Sequence, residues 1–81
     1  MQLFIKTFLD NKTIVLHNID STITVYQLKQ IINQKIQNII NCEVPDYFLY
    51  YHCVYLKETQ TLQKSDIINE STIYLRLKFF H

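Results

Sequence analysis

Residues 1–8 read MQLFIKTF. Leu3 and Ile5 alternate with Gln2, Phe4 and Lys6, which is the period of a β-strand with one buried face. Residues 12–19, KTIVLHNI, put Ile14 and Leu16 on one face in the same way. Leu9-Asp10-Asn11 lies between the two runs. Asp and Asn accept positive φ more readily than any residue except glycine. The spacing therefore predicts a β-hairpin over residues 1–19 that turns without glycine.

Outward from the hairpin comes DSTITVYQLKQIINQKIQNIIN. Val25, Leu28, Ile32, Ile36 and Ile39 fall at i, i+3, i+7, i+11 and i+14, a single helical stripe. Lys29, Gln30, Asn33, Gln34, Gln37 and Asn38 are assigned to its polar side. Ser21, Thr22 and Thr24 are candidate N-caps, and Asn41 suits a left-handed C-cap. A helix is expected over residues 24–40. Its isoleucines are mediocre helix formers, so the assignment rests on periodicity.

Cys42 to Asp46 reads as a loop around the only proline, Pro45. YFLYYHC (47–53) reads as an aromatic strand, and Val54-Tyr55-Leu56 as a short edge strand. In residues 54–70, Leu62 and Ile67 are apolar anchors in a polar connection that suggests a turn of helix. Asp66 is placed to close a turn, and Glu70-Ser71-Thr72 to launch the last strand. STIYLRLKFF (71–80) then alternates, with Ile73, Leu75, Leu77 and Phe79 opposite Tyr74, Arg76, Lys78 and Phe80.

The order is β-β-α-β-(β)-turn-β. One helix with one apolar stripe must cover one face of a mixed sheet of four to five strands. This is the α+β class. With the first and last strands adjacent at the centre, it is a β-grasp roll, and residues 1–81 form a single domain.

The residues resemble the ubiquitin-like family along essentially the whole chain. MQLFIKT is nearly that family's opening, KTIVL sits where its second strand begins, and TVYQLKQII resembles its helix start. Leu56, Thr61, Leu62, Ile67 and ESTIYLRLK (70–78) resemble its final turn and strand. The resemblance needs a few inserted residues before the helix and between the helix and the third strand. STITVYQLKQII also resembles the elongin B branch, whose members lack a diglycine end and serve as constitutive subunits of ligase adaptors.

The resemblance implies two functions, covalent conjugation and non-covalent recognition. Conjugation needs a diglycine, and the 81 residues contain no glycine; Phe80 and His81 stand where it would be. The expectation is a non-conjugating, non-enzymatic module linked to the ubiquitin pathway. Its alternatives are a diverged modifier or the N-terminal domain of a longer protein, an elongin B-like adaptor or a nucleic-acid-associated factor. The family's recognition patch, carried across, falls on Phe8 (or Leu9), Tyr50, Tyr74 and Arg76. Phe48 replaces a basic residue there and Val54 a chain-forming lysine. The expected partner-binding residues are Lys6, Phe8, Phe48, Tyr50, Tyr74 and Arg76, with Lys78 beside them. Small-patch ubiquitin readers are expected to bind weakly or not at all. Lys6, Lys12, Lys29 and Lys35 match family lysines and would serve only as acceptors.

Composition narrows the rest. Hydrophobic residues make up 48% and charged residues 19%, so the chain is no disordered tail. The absence of glycine excludes both Gly-rich phosphate loops. Richness in Ile, Asn, Tyr, Phe and Lys beside an absence of Gly and Ala matches AU-rich codon usage, and much of the bias carries no functional meaning. A net charge of +1 steers the chain neither to nucleic acid nor to acidic lipid. No apolar run reaches transmembrane length and no signal peptide is visible. Two cysteines are too few for a disulfide framework, which leaves a cytoplasmic or nuclear location as the expectation.

Other chemistry finds little support in the residues. His52 and Cys53, as neighbours in a strand, would point to opposite faces and form no catalytic pair. Cys42, His52, Cys53 and His81 lack zinc spacing, and His17 is expected exposed on a strand. Exposed aromatics with Lys6, Arg76 and Lys78 offer a platform for single-stranded nucleic acid, but aromatics with Arg are the commoner composition of protein hot spots. Phe4, Phe48, Tyr50 and Phe80, if contiguous, would suit a homo-oligomer. No cofactor and no membrane partner are expected.

Overall fold

The structure is a computed structural model and describes residues 1–9 and 12–78. The elements are β1 (Leu3–Lys6), β2 (Thr13–Leu16), α1 (Val25–Ile40), β3 (Tyr47–Tyr51), β4 (Val54–Tyr55) and β5 (Ser71–Leu77). The strands form one sheet in the order β2-β1-β5-β3-β4. Only β1 and β5 run parallel, at the centre; β1–β2, β3–β5 and β3–β4 are antiparallel. This is the β-grasp arrangement, with five strands.

Period-2 alternation decides which side chains point inward. Leu3, Ile5, Ile14, Leu16, Tyr47, Leu49, Ile73 and Leu75 are buried. Val25, Leu28, Ile32 and Ile36 of α1 meet them from above, and Ile19, Leu62 and Ile67 close the ends. Burial of this set is the main stabilising term for so small a domain.

Both helix ends are specified locally. Thr24 and Gln27 form a capping box: the Gln27 N–H donates to Thr24 Oγ1 at 3.1 Å, and the Thr24 N–H donates to Gln27 Oε1 at 2.9 Å. The Val25 and Tyr26 N–H groups donate to the carbonyls of Gln60 and Glu58, so the loop after β4 satisfies donors that a helix start leaves open. Asn41 ends the helix at φ 57 and ψ 36 and donates its N–H to the Gln37 carbonyl.

Several expectations need correction. Ile39 is 44% exposed, and in the last turn Ile40 takes the place against the core instead. Lys29 is not on the polar side: it is 8% exposed, on the buried stripe. Strand β3 ends at Tyr51, and His52 (φ 50) with Cys53 (φ 63) makes the two-residue turn into β4. Both angles are positive, as a type I′ turn requires. The expected turn of helix is a run of turns over residues 62–66, in which the Ser65 N–H donates to the Thr61 and Leu62 carbonyls and Asp66 (φ 59) closes the run. Asn69 and Glu70 (φ 67) make the turn before β5, closed by the Ser71 N–H donating to the Ile68 carbonyl, and Ser71 and Thr72 already belong to that strand. The expected Asp10-Asn11 turn, Phe79, Phe80 and His81 lie outside the described residues.

Candidate functional site

The alternation that buries Tyr47 and Leu49 sends Phe48 and Tyr50 to the outer face of β3. In β5 it does the same for Tyr74 and Arg76. Register then assembles these residues across the sheet. Lys6 pairs with Tyr74, Tyr74 with Tyr50, and Tyr50 with Tyr55, forming one row over β1, β5, β3 and β4. Phe48 pairs with Arg76 in the next row.

The rings touch. Tyr50 and Tyr74 stack with centroids 5.5 Å apart, Tyr50 meets Tyr55 edge-on at 5.7 Å, and Phe48 tilts against Tyr55 at 5.0 Å. Adjacent strands lie about 4.8 Å apart, so contact follows from the register itself. Each such pair contributes about 1 kcal/mol beyond area burial. Yet Tyr55 stays 53% exposed, Tyr74 44% and Phe48 39%.

Three cations border this ladder. Lys6 and Arg76 are exposed and make no ion pair among the described residues. Lys78 is already engaged: its Nζ lies 3.2 Å from Asp46 Oδ2 and 4.9 Å from the centre of the Phe48 ring. That ammonium group, helped by the Tyr47 N–H, holds the Asp46 carboxyl below its ordinary pKa.

Five of the six expected binding residues, all but Phe8, lie on this outer face. Phe8 lies past the end of β1, half-buried against the core. Phe4 is half-buried in the Val15–Phe4–Thr72 row and makes no ring contact among the described residues. Tyr55 is a full member of the ladder that the strand pattern alone did not reveal. Its signal was available only through the turn: a two-residue connection puts position 55 opposite position 50.

Of the four lysines matched to family acceptors, Lys6, Lys12 and Lys35 are exposed. Lys29 is not. Its Nζ donates to Glu58 Oε1 at 2.8 Å and to the Tyr47 carbonyl at 2.9 Å, and sits 4.8 Å from the Tyr47 ring centre. It is a structural lysine that joins α1 to β3 and to the loop after β4.

Cys42 and Cys53 are free and exposed. No group of three or more His, Cys, Asp or Glu side chains is placed to hold a metal among the described residues. A depression of about 420 Å³ opens beside Tyr74, between the His52-Cys53 turn and Asn69-Glu70. No helix among the described residues is long and apolar enough to cross a membrane.

A five-stranded roll gripping one helix, with an open sheet face, defines the class of ubiquitin-like β-grasp domains. The family model described as "Ubiquitin family" matches residues 3–80, and the chain belongs to that family. Comparison with individual curated proteins gives no match.

Proposed function

We propose that this chain is a non-covalent protein-binding module of the ubiquitin pathway and that the outer sheet face is its contact surface. Lys6, Phe48, Tyr50, Tyr55, Tyr74 and Arg76 are the contact residues. The observation that carries this reading is the contiguous ring ladder bordered by Lys6 and Arg76, which make no ion pair among the described residues. Aromatics and Arg are the residues most enriched at binding hot spots. An exposed aromatic cluster on a domain this small also marks an interaction surface.

The module acts without conjugation and without catalysis. None of the 81 residues is glycine, so no diglycine exists within them, and the ladder holds no nucleophile beside a base. Exposed, unpaired cysteines fit a reducing cytoplasm or nucleus.

Affinity capture from the native cell tests the reading. Wild-type protein should retain a stoichiometric protein partner. Tyr50→Ala with Arg76→Ala should lose it, while circular dichroism and the melting transition stay native. Undiminished capture by the double variant would move the site elsewhere, and ladders of covalent adducts would overturn the non-conjugating role.

A further inference from the structure

The composition of the outer face narrows the class of partner; this step rests on the binding-face reading above. None of the five strands contains Asp or Glu, and their only charged residues are Lys6 and Arg76. Both flank Tyr74: Lys6 pairs with it across β1–β5, and Arg76 lies two residues along β5. Uncompensated positive charge is therefore gathered at one end of the ladder. The acid bordering this face, Asp46, is already engaged by Lys78, so a second copy docked by a two-fold axis would bring Lys6 and Arg76 to a face whose nearest carboxylate is taken.

The hydroxyls point the same way. Tyr47 and Tyr51 are hydrogen-bonded internally, to Asn33 Oδ1 at 2.6 Å and Ser71 Oγ at 3.2 Å. Those of Tyr50, Tyr55 and Tyr74 make no hydrogen bond among the described residues. The outward side chains of β3, β4 and β5 are Phe48, Tyr50, Tyr55, Thr72, Tyr74 and Arg76, without one aliphatic residue. Such a face presents ring edges and hydroxyl donors rather than the aliphatic groove that seats an amphipathic helix. Within the ladder only Tyr50 and Tyr74 stack, while Tyr55 meets its neighbours tilted or edge-on. Ring faces therefore stay open to a ligand that packs on them, but Lys6 and Arg76 alone give a nucleic-acid backbone few phosphate partners.

A polyproline II segment meets each of these conditions. It has no internal hydrogen bonds, so its carbonyls are free to accept from tyrosine hydroxyls, and its proline rings pack on aromatic side chains. Its three-residue turn advances about 9 Å, close to the roughly 9.6 Å of two strand spacings between Tyr74 and Tyr55. We propose that the outer face binds an extended proline-containing peptide segment. Its prolines lie over Phe48, Tyr50 and Tyr55, and acidic residues at one end meet Lys6 and Arg76.

Titration of the isotopically labelled full chain, followed by NMR, tests this. The probes are an acidic proline-rich peptide, its Lys-for-Glu counterpart, an acidic amphipathic helical peptide without proline, and a single-stranded RNA oligonucleotide. The acidic proline-rich peptide should saturate, with shifts centred on Tyr50, Tyr55, Tyr74 and Arg76. Affinity should fall roughly tenfold or more for the Lys-for-Glu peptide and for Tyr55→Ala, whose native spectrum elsewhere verifies folding. No saturable binding by that peptide, or tighter binding of the helix or the RNA, overturns the proposal. Partner capture that still depends on Tyr50 and Arg76 would then leave the binding face standing, whereas loss of that dependence would remove the face itself.

Discussion

Asn18, Asn41, His52, Cys53, Asp66 and Glu70 all hold φ between 50° and 67°. In a chain without glycine this backbone region falls to side-chain-bearing residues. Asn and Asp occupy it at modest cost because they hydrogen-bond locally. For His52, Cys53 and Glu70 the Cβ atom crowds the carbonyl, at about 1 kcal/mol each. Cys53→Gly and Glu70→Gly should therefore each stabilise the protein by about 1 kcal/mol, read as a higher urea midpoint at unchanged slope. The Asn41 cap was legible because asparagine belongs to the known vocabulary of helix ends. The His52-Cys53 turn was not, because neither residue belongs to the vocabulary of turns and the aromatic run before it extends the strand pattern. Tyr55 was missed for the same reason, since only the turn length sets its partner. Phe48, Tyr50, Tyr74 and Arg76 needed no turn, only alternation.

At the scale of elements, the seam between α1 and β3 is where pattern and structure part most. Val25, Lys29, Ile32 and Ile36 fall at i, i+4, i+7 and i+11, so Lys29 has a core position by spacing and a surface identity by chemistry. Its butyl stem packs like an aliphatic side chain while the ammonium group reaches Glu58 and the Tyr47 carbonyl. Helix periodicity made the stripe legible. What hid Lys29 was a partner supplied from position 58, through a loop that the helix start itself holds in place. Lys29 should be the slowest of Lys6, Lys12, Lys29 and Lys35 to react with an amine acylating reagent on the folded protein, as scored by peptide mass spectrometry. Equal rates for the four would contradict the buried seam.

For the whole molecule, the core also dictates a pH response. Burial is the main cause that raises the Tyr47 hydroxyl pKa far above its ordinary value of 10.0, and the Asp46 and Glu58 carboxylates add to it. A phenol whose pKa is raised on folding contributes stability that is fully present below the unfolded value. That contribution is lost as pH climbs from there toward the folded value, because the unfolded chain releases the proton first. Stability should decline above about pH 10, and Tyr47→Phe should flatten that decline while costing some stability at neutral pH through the lost bond to Asn33. Denaturant titrations at pH 7 and across the alkaline range measure both effects.

The parallel pairing of β1 with β5 has a consequence for how the protein is made. Residues 3–6 and 71–74 are the central neighbours of the sheet, yet nearly the whole chain separates them. During translation β1 and β2 can close early as a hairpin, but the inner edge of β1 has no partner until the ribosome has released residues 71–77. The sheet cannot be completed from its middle outward any sooner, and such distant pairing slows folding. Until then the nascent chain carries an open strand edge beside a half-built core, the kind of exposure that recruits chaperones.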